Sequence, residues 1–299
     1  MDIFALVAAF GGGAFGALLG ALPAFIMTGC FALAGALVAA GGGADVGVGF
    51  MAFGSFMGPH VAFAGGVAAA AYAASKGKLK AGNDIVTPLN GLGEADVICV
   101  GGLFGVIGFV ICSLLMKTPL GPLTDAVAMT VAISGCIVRL TFGKTGLTGK
   151  YTGTEPRVWV TGGKGFTYNV MLGAVVGIAV SFVAASMMQA GVSDAALGVY
   201  PVICFGFSAI SLIFAQTGFA IPATHHITLP SGLGALAGMA AWGSSGAVLG
   251  VIFGILASLL GDFAANAFNS HNDSHIDPPA VTIFILTILV NLIRIAIAQ

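Results

Sequence analysis

Residues Gly105–Leu115 read GVIGFVICSLL and residues Gly250–Leu260 read GVIFGILASLL, with six of eleven positions identical. Each stretch is free of charge and lies within an apolar run of about 20 residues, the length that a helix needs to cross the hydrocarbon core of a membrane. A membrane span that occurs twice indicates that the chain contains two copies of a larger unit.

Three further pairs of segments match in the same order around this span. His60–Val67 aligns with His226–Leu233, and Pro23–Ile26 aligns with Pro201–Cys204. Because the matches keep one order, we predict two copies of a five-helix unit. The last span of each copy has an aspartate near its start and an arginine near its end: Asp125 and Arg139 in the first copy, Asp277 and Arg294 in the second.

Charged side chains are scarce. Asp, Glu, Lys and Arg make up 7% of the chain, hydrophobic residues make up 58%, and mean hydropathy is +1.06. A soluble domain carries about 25% charged residues because its surface faces water. The net charge of −1 provides no basic surface for nucleic acid. We therefore predict an all-α polytopic membrane protein whose partners are the lipid bilayer and a small solute or ion.

Apolar runs predict about ten transmembrane helices. The first five form a repeat over residues 1–142, a linker loop covers 143–167, and a second repeat covers 168–299. Because the unit has an odd number of spans, the second copy must cross the membrane upside down, as in transporters built from inverted repeats. The predicted spans are 4–20, 23–41, 60–75, 98–116, 123–142, 168–189, 197–215, 227–242, 246–266 and 279–298.

Two stretches predict irregular backbone within the membrane. Residues 46–59 (VGVGFMAFGSFMGP) are apolar but too short and glycine-rich to span, and Pro222 precedes the corresponding helix of the second copy. Non-helical backbone at membrane depth is tolerated where it is buried in protein or lines a cavity. We predict broken or re-entrant segments before the third and eighth spans.

Basic residues are concentrated in two loops that are separated by two spans. These loops, 76–98 and 143–167, should lie on the same side of the membrane, and the positive-inside rule makes that side cytoplasmic. We expect a multi-pass protein of the cell membrane. The basic residues are Lys76, Lys78, Lys80, Lys144, Lys150, Arg157 and Lys164.

Three of the five histidines stand at the starts of the predicted third and eighth spans. His60 follows a Gly-Pro pair, and His225 and His226 follow Thr224. A helix that begins inside a membrane presents unpaired N–H groups and the positive end of its dipole. Ionisable residues at this depth are functional candidates. We predict that His60, Thr224, His225 and His226 bind a solute, with His60 and His226 facing one polar cavity.

Other ionisable groups suggest ion coupling or metal binding. The cluster of His271, Asp273 and His275 contains imidazole and carboxylate groups of the kind that bind divalent metals. Its spacing matches no particular metal site, and we expect a solvated loop there. The candidates for coupling to an ion or a proton are Asp125, Asp262 and Asp277.

The function that these features favour is transport. The sequence contains no nucleotide-binding, nucleophile-elbow or zinc-protease motif, and no motif identifies a cofactor. We predict a transporter or channel, rather than an enzyme, that moves a small solute or ion through a site between the two repeats and that forms a homo-oligomer. The alternative is a membrane subunit or enzyme that binds a metal or haem through its histidines.

Overall fold

The computed structural model describes residues 2–297, and every regular element in that range is helical. Two π-helical turns, Gly47–Ala52 and Pro59–Phe63, precede the third α-helix. The α-helices are α1 (Ile3–Leu19), α2 (Ala21–Ala40), α3 (Ala64–Ser75), α4 (Ala95–Leu115), α5 (Ala126–Phe142), α6 (Lys164–Gln189), α7 (Asp194–Ser211), α8 (Ile213–Gln216), α9 (His225–Trp242), α10 (Val248–Phe268) and α11 (Pro278–Ile297).

Six helical stretches are long and apolar enough to cross a membrane, so the chain has the architecture of a membrane protein. Fewer stretches meet this criterion than the ten predicted spans. The reason is that α1 and α5 have 17 residues each, α3 has 12, and α9 and α10 form one continuous stretch. The six are Ala21–Ala40, Ala95–Leu115, Lys164–Gln189, Asp194–Gln216, His225–Phe268 and Pro278–Ile297.

Irregular backbone precedes α3 and α9, where the sequence predicts broken segments. Before α3 the chain passes through the two π-helical turns and the bend between them. Before α9, residues 217–224 form no regular structure after the single turn of α8. Pro59 occupies the first position of the second π-helical turn, where a missing N–H group leaves no hydrogen bond unmade.

Glycines let the helices of each half approach closely. In the first half α1 packs along α4, and a Cβ placed on Gly13 would lie 2.7 Å from the Cα of Gly105. In the second half α6 packs along α10, and a Cβ placed on Gly173 would lie 2.5 Å from the carbonyl oxygen of Gly254. Small residues at such crossings are what allow membrane helices to associate in lipid.

The two halves meet first along α2 and α7. Gly29 contacts residues 206–210, and Gly206 contacts Gly29 and Leu33. Gly29 reaches as far as Ile210, whereas Leu33, one turn later in α2, contacts the earlier residue Gly206 of α7. The two helices therefore run antiparallel. A Cβ on Gly29 would lie 2.7 Å from the Cβ of Ala209, which leaves room only for glycine.

The halves meet again along α5 and α11. Thr124, at the start of α5, donates a hydrogen bond of 3.1 Å to the carbonyl oxygen of Phe284 in α11. Further along α5, Gly135 packs against the backbone of Ile276, just before α11 begins. These two helices therefore also run antiparallel.

Both basic loops lie at one end of the helix bundle. The loop after α3 reaches α2 through a hydrogen bond of 2.7 Å from Leu22 N to the carbonyl oxygen of Ile85. It also contacts Asp273 through Gly82, and Asp273 accepts a hydrogen bond of 2.6 Å from the backbone N–H of Lys144 in the second basic loop. The segment 269–277 thus connects the two loops.

Lys78 lies in the first basic loop, at this end of the bundle, and carries a positive charge. Its ammonium group donates to Glu94 at 2.9 Å and to Asp96 at 2.9 Å. These hydrogen bonds, with Glu94 making the larger contribution, raise the pKa of Lys78.

Arg139 fastens the same end of the bundle and is 1% exposed. It donates through Nε to the hydroxyl of Ser274 at 2.6 Å and through Nη2 to the carbonyl oxygen of Phe268 at 2.9 Å. A third bond joins Nη1 to the carbonyl oxygen of Leu147 at 2.9 Å. One guanidinium therefore ties the end of α5 to the following loop and to the end of α10.

Thiol labelling tests the shared face of the basic loops. Cysteines introduced by Lys80→Cys and Lys150→Cys, in a variant whose five native cysteines are replaced, should react with a membrane-impermeant maleimide from the same side. An Asp194→Cys thiol at the start of α7 should react from the opposite side. All three side chains are exposed. Labelling of positions 80 and 150 from different sides would contradict this topology.

Substitution of Gly206 tests the contact between α2 and α7. Gly206→Ala should destabilise the protein by about 1–3 kcal/mol, because overpacking forces backbone shifts, and a Cβ there would lie 2.7 Å from Leu33 N. The matched control is Gly198→Ala in the same helix, where nothing lies within 4 Å. The midpoint of thermal unfolding in detergent should fall only for Gly206→Ala. Equal midpoints would show that the helices do not depend on this contact.

Candidate functional site

A cavity of about 630 Å³ lies between the two halves of the chain. Leu22 and Phe25 line it from near the start of α2, and Ile85 lines it from the first basic loop. Val202 of α7 and Ile283 of α11 line it from the second half. Both halves of the chain therefore contribute to its walls.

The walls of the cavity are mainly aromatic and aliphatic. Phe25 is at the centre of an aromatic cluster, with its ring centroid 5.9 Å from Phe63, 5.7 Å from Phe205 and 4.7 Å from the ring of His225. Phe53 continues the cluster at 5.7 Å from Phe205. All five rings line the cavity.

Each half contributes one carboxylate to the lining. Asp125 caps α5 and accepts a hydrogen bond of 2.8 Å from the N–H of Ala128. Asp277 caps α11 and accepts a hydrogen bond of 2.8 Å from the N–H of Ala280. Both bonds join residues three apart, and the positive end of a helix dipole stabilises a carboxylate in this position. Two of the three predicted ion-coupling residues, Asp125 and Asp277, thus occupy equivalent helix-capping positions facing one cavity.

Asp277 belongs to a chain of hydrogen bonds. Its Oδ1 atom lies 3.1 Å from His275 Nε2, and His275 Nδ1 lies 3.2 Å from Asn269 Nδ2. The amide of Asn269 is oriented, since its Oδ1 accepts from Ile276 N at 3.1 Å. Asn269 Nδ2 must therefore donate to His275, which leaves the imidazole proton on Nε2 to be donated to Asp277.

Asp125 has a different environment. Within residues 2–297 its carboxylate forms no ion pair, and its hydrogen bonds are those of the helix start. The two cavity carboxylates are therefore not equivalent electrostatically, because only Asp277 has an imidazole donor beside it.

The predicted solute-binding histidines have different surroundings, although the rings of His225 and His226 are 5.7 Å apart. His225 lines the cavity, whereas His226 packs against Gly261 of α10. Neighbouring residues of a helix point about 100° apart, so both rings cannot face the same side. His60 packs on Gly108 and lies 6.5 Å from the ring of Phe109, both in α4. Neither His60 nor His226 is among the residues that line this cavity.

Two further predicted residues, Thr224 and Asp262, lie outside the cavity lining. The hydroxyl of Thr224 is hydrogen bonded to that of Ser208, which ties the start of α9 to α7. Asp262 accepts hydrogen bonds from the N–H of Thr161 at 2.7 Å and from its hydroxyl at 2.5 Å. Asp262 thus holds the second basic loop against α10 and is not part of the cavity lining.

The weak metal candidates do not converge. Asp273 accepts from the hydroxyl of Thr145 at 2.8 Å, and His271 packs on Tyr151 with ring centroids 4.9 Å apart. His275 is directed instead to Asp277. In the part of the chain that the structure describes, no three His, Cys, Asp or Glu side chains form a group suited to a metal ion. His271 and Asp273 serve to hold the second basic loop.

Several lining residues carried no signal in the sequence. Phe25, Phe63 and Phe205 are three of 22 phenylalanines, most of which would be equally compatible with lipid or core. Only their convergence in the folded chain distinguishes them. Asn269 could have been found through its position in the polar stretch before Asp277.

One family model matches the chain twice, over residues 1–155 and over residues 152–298. The chain belongs to DUF7973, a family of unknown function. Neither a curated protein nor a solved structure matches it. Each DUF7973 segment contains one of the two helix-capping carboxylates of the cavity, Asp125 in the first and Asp277 in the second.

The capping role of the carboxylates can be separated from their charge. Asp125→Ala should lower stability by about 1 kcal/mol, whereas Asp125→Asn should be close to neutral, because asparagine caps a helix about as well as aspartate. Thermal unfolding of the purified variants in detergent measures the difference. A loss for Asp125→Asn as large as for Asp125→Ala would show that the charge itself is needed for folding.

Proposed function

We propose that this protein is a transporter or channel of the cell membrane that moves a small solute or ion through the cavity between its two halves. The observation that carries the proposal is a cavity of about 630 Å³ that both halves line, with one helix-capping carboxylate from each half. A structural membrane protein has no use for a cavity of that extent, since helices in lipid are held together by close packing. Ligand sites in helical membrane transporters lie in this position, between repeats.

The proposal includes two inverted repeats of five spans each. The double match to DUF7973 supports a duplication. The packing of α1 on α4 corresponds to that of α6 on α10, and α3 on α4 corresponds to α9 on α10. The pairs α2–α7 and α5–α11 run antiparallel, which is expected when the axis relating the copies lies in the membrane plane. An axis along the membrane normal would make these pairs parallel.

In this arrangement loops 76–98 and 143–167 are cytoplasmic. The lipid bilayer covers the exposed apolar surface, on which Phe4, Phe207 and Leu140 are at least two-thirds exposed. The proposal includes a homo-oligomer, since membrane helices associate through faces of small residues.

The predicted site residues divide into two roles in this proposal. His225, Asp125 and Asp277 contact the solute or the coupling ion in the cavity. His60 and His226 begin the two helices that follow irregular segments, and each packs on a glycine of the fourth helix of its repeat. They position those helices beside the cavity.

Filling the cavity should stop transport. Ala128→Phe places a ring in the lining beside Asp125, whereas Ala8→Phe adds the same ring on the exposed face of α1. We expect wild-type proteoliposomes to take up choline chloride, sodium acetate or glycerol faster than protein-free liposomes in a light-scattering assay of vesicle swelling. Ala128→Phe should abolish the excess rate and Ala8→Phe should keep it. An excess rate insensitive to Ala128→Phe, or none for any solute, would contradict transport through this cavity.

A further inference from the structure

We infer that the cavity binds a small organic cation, an ammonium group that bears apolar substituents, with its positive charge between Asp125 and the aromatic cluster. The inference deepens the proposed function by naming the class of solute. It rests on the same cavity, but its test measures binding and does not require transport.

The charge of the lining is the first argument. The formally charged residues of the cavity lining, within the described range, are Asp125 and Asp277, and no lysine or arginine is among them. Asp277 shares its charge with the donor His275 at 3.1 Å. Asp125 forms no ion pair in the portion of the chain that the structure covers. A cation would therefore form an ion pair with Asp125, while an anion would be repelled by two carboxylates.

The aromatic cluster is the second argument. Phe25, Phe53, Phe63 and Phe205 all line the cavity, and their ring centroids lie 5.7–5.9 Å from those of their neighbours. The face of an aromatic ring attracts a cation, most strongly where water is excluded. Several such faces around one space form the kind of aromatic cage that recognises alkylated ammonium groups.

His225 provides the third observation. Its side chain lines the cavity and the residue is 5% exposed. Its Nδ1 atom has no hydrogen-bond partner among the described residues. A buried ring nitrogen without a partner is costly, and a neutral imidazole can accept a hydrogen bond from an N–H or O–H group of a ligand.

The composition of the lining also decides between organic and inorganic cations. Hard metal ions take six or more oxygen ligands, or keep several waters. Among residues 2–297, the side-chain oxygens in the lining come from Asp125, Asn269 and Asp277, and the oxygens of the last two are already engaged. The apolar walls would instead contact the carbon atoms of an organic cation.

Matched ligands test this inference by isothermal titration calorimetry on the purified protein in detergent. Choline is compared with its uncharged analogue, in which carbon replaces nitrogen, and with the anion tert-butylacetate. The three have similar size, so charge is the main difference between them. Choline should bind at least about tenfold more tightly than the other two, a difference of about 1.4 kcal/mol.

Two pairs of variants locate the binding site. Asp125→Asn, which keeps the helix cap, should weaken choline binding at least about tenfold, while Asp194→Asn on the exposed start of α7 should not change it. Phe205→Leu should weaken choline binding between about threefold and thirtyfold, the range of cation–π interactions. Phe207→Leu is its control, because Phe207 lies in the same helix and is 70% exposed.

The outcomes separate this inference from the proposed function. Absence of choline binding, equal binding of the uncharged analogue, or choline affinity unchanged by Asp125→Asn overturns the cation site. Flux of acetate or glycerol through the open cavity without choline binding would overturn the cation site and leave transport intact. Choline binding that depends on Asp125, without flux of any solute, would support the cation site and contradict transport.

Discussion

The contact between Gly29 and Gly206 is the constraint on which the arrangement of the two halves depends. In lipid no hydrophobic force drives helices together, so their association relies on close packing of backbone and small side chains. Here the backbones of α2 and α7 come into contact, with Gly206 against Leu33 N and Gly29 against Ala209. One turn before Gly29, the ring of Phe25 lies 5.7 Å from that of Phe205, and both rings line the cavity.

At the end of the bundle, Arg139 holds α5, the loop after it and the end of α10 together. A buried guanidinium needs partners for its N–H groups, and here carbonyl oxygens and a hydroxyl supply them. These carbonyl oxygens belong to the end of α10 and to loops, where no backbone N–H group of a helix is available to them. Arg139 therefore donates a hydrogen bond to the last turn of α10 and also fixes the position of segment 269–277. That segment in turn places Asn269 and His275 beside Asp277 in the cavity.

Much of the fold could be predicted from the sequence, because length and hydropathy determine which segments enter a membrane. The predicted spans overlap the helices, and Asp125 and Asp277 were singled out by their equivalent positions in the repeated units. The orientation of single side chains could not be predicted in the same way. A shift of one residue turns a helical side chain by about 100°, which is why His225 reaches the cavity and His226 does not. The aromatic cluster could not be foreseen either, since Phe25, Phe63 and Phe205 come from α2, the second π-helical turn and α7, with no common motif.

The lengths of the outer helices have a consequence for the surrounding membrane. The first helix, α1, has 17 residues and is about 26 Å long, whereas α6 has 26 residues and is about 39 Å long. The hydrocarbon core is about 30 Å thick, so lipid must thin beside a short helix, and a long helix must tilt. The protein therefore presents two edges of unequal height to the bilayer. Shorter acyl chains should gather along the edge formed by α1, and two protomers that associate through that edge would relieve the mismatch together.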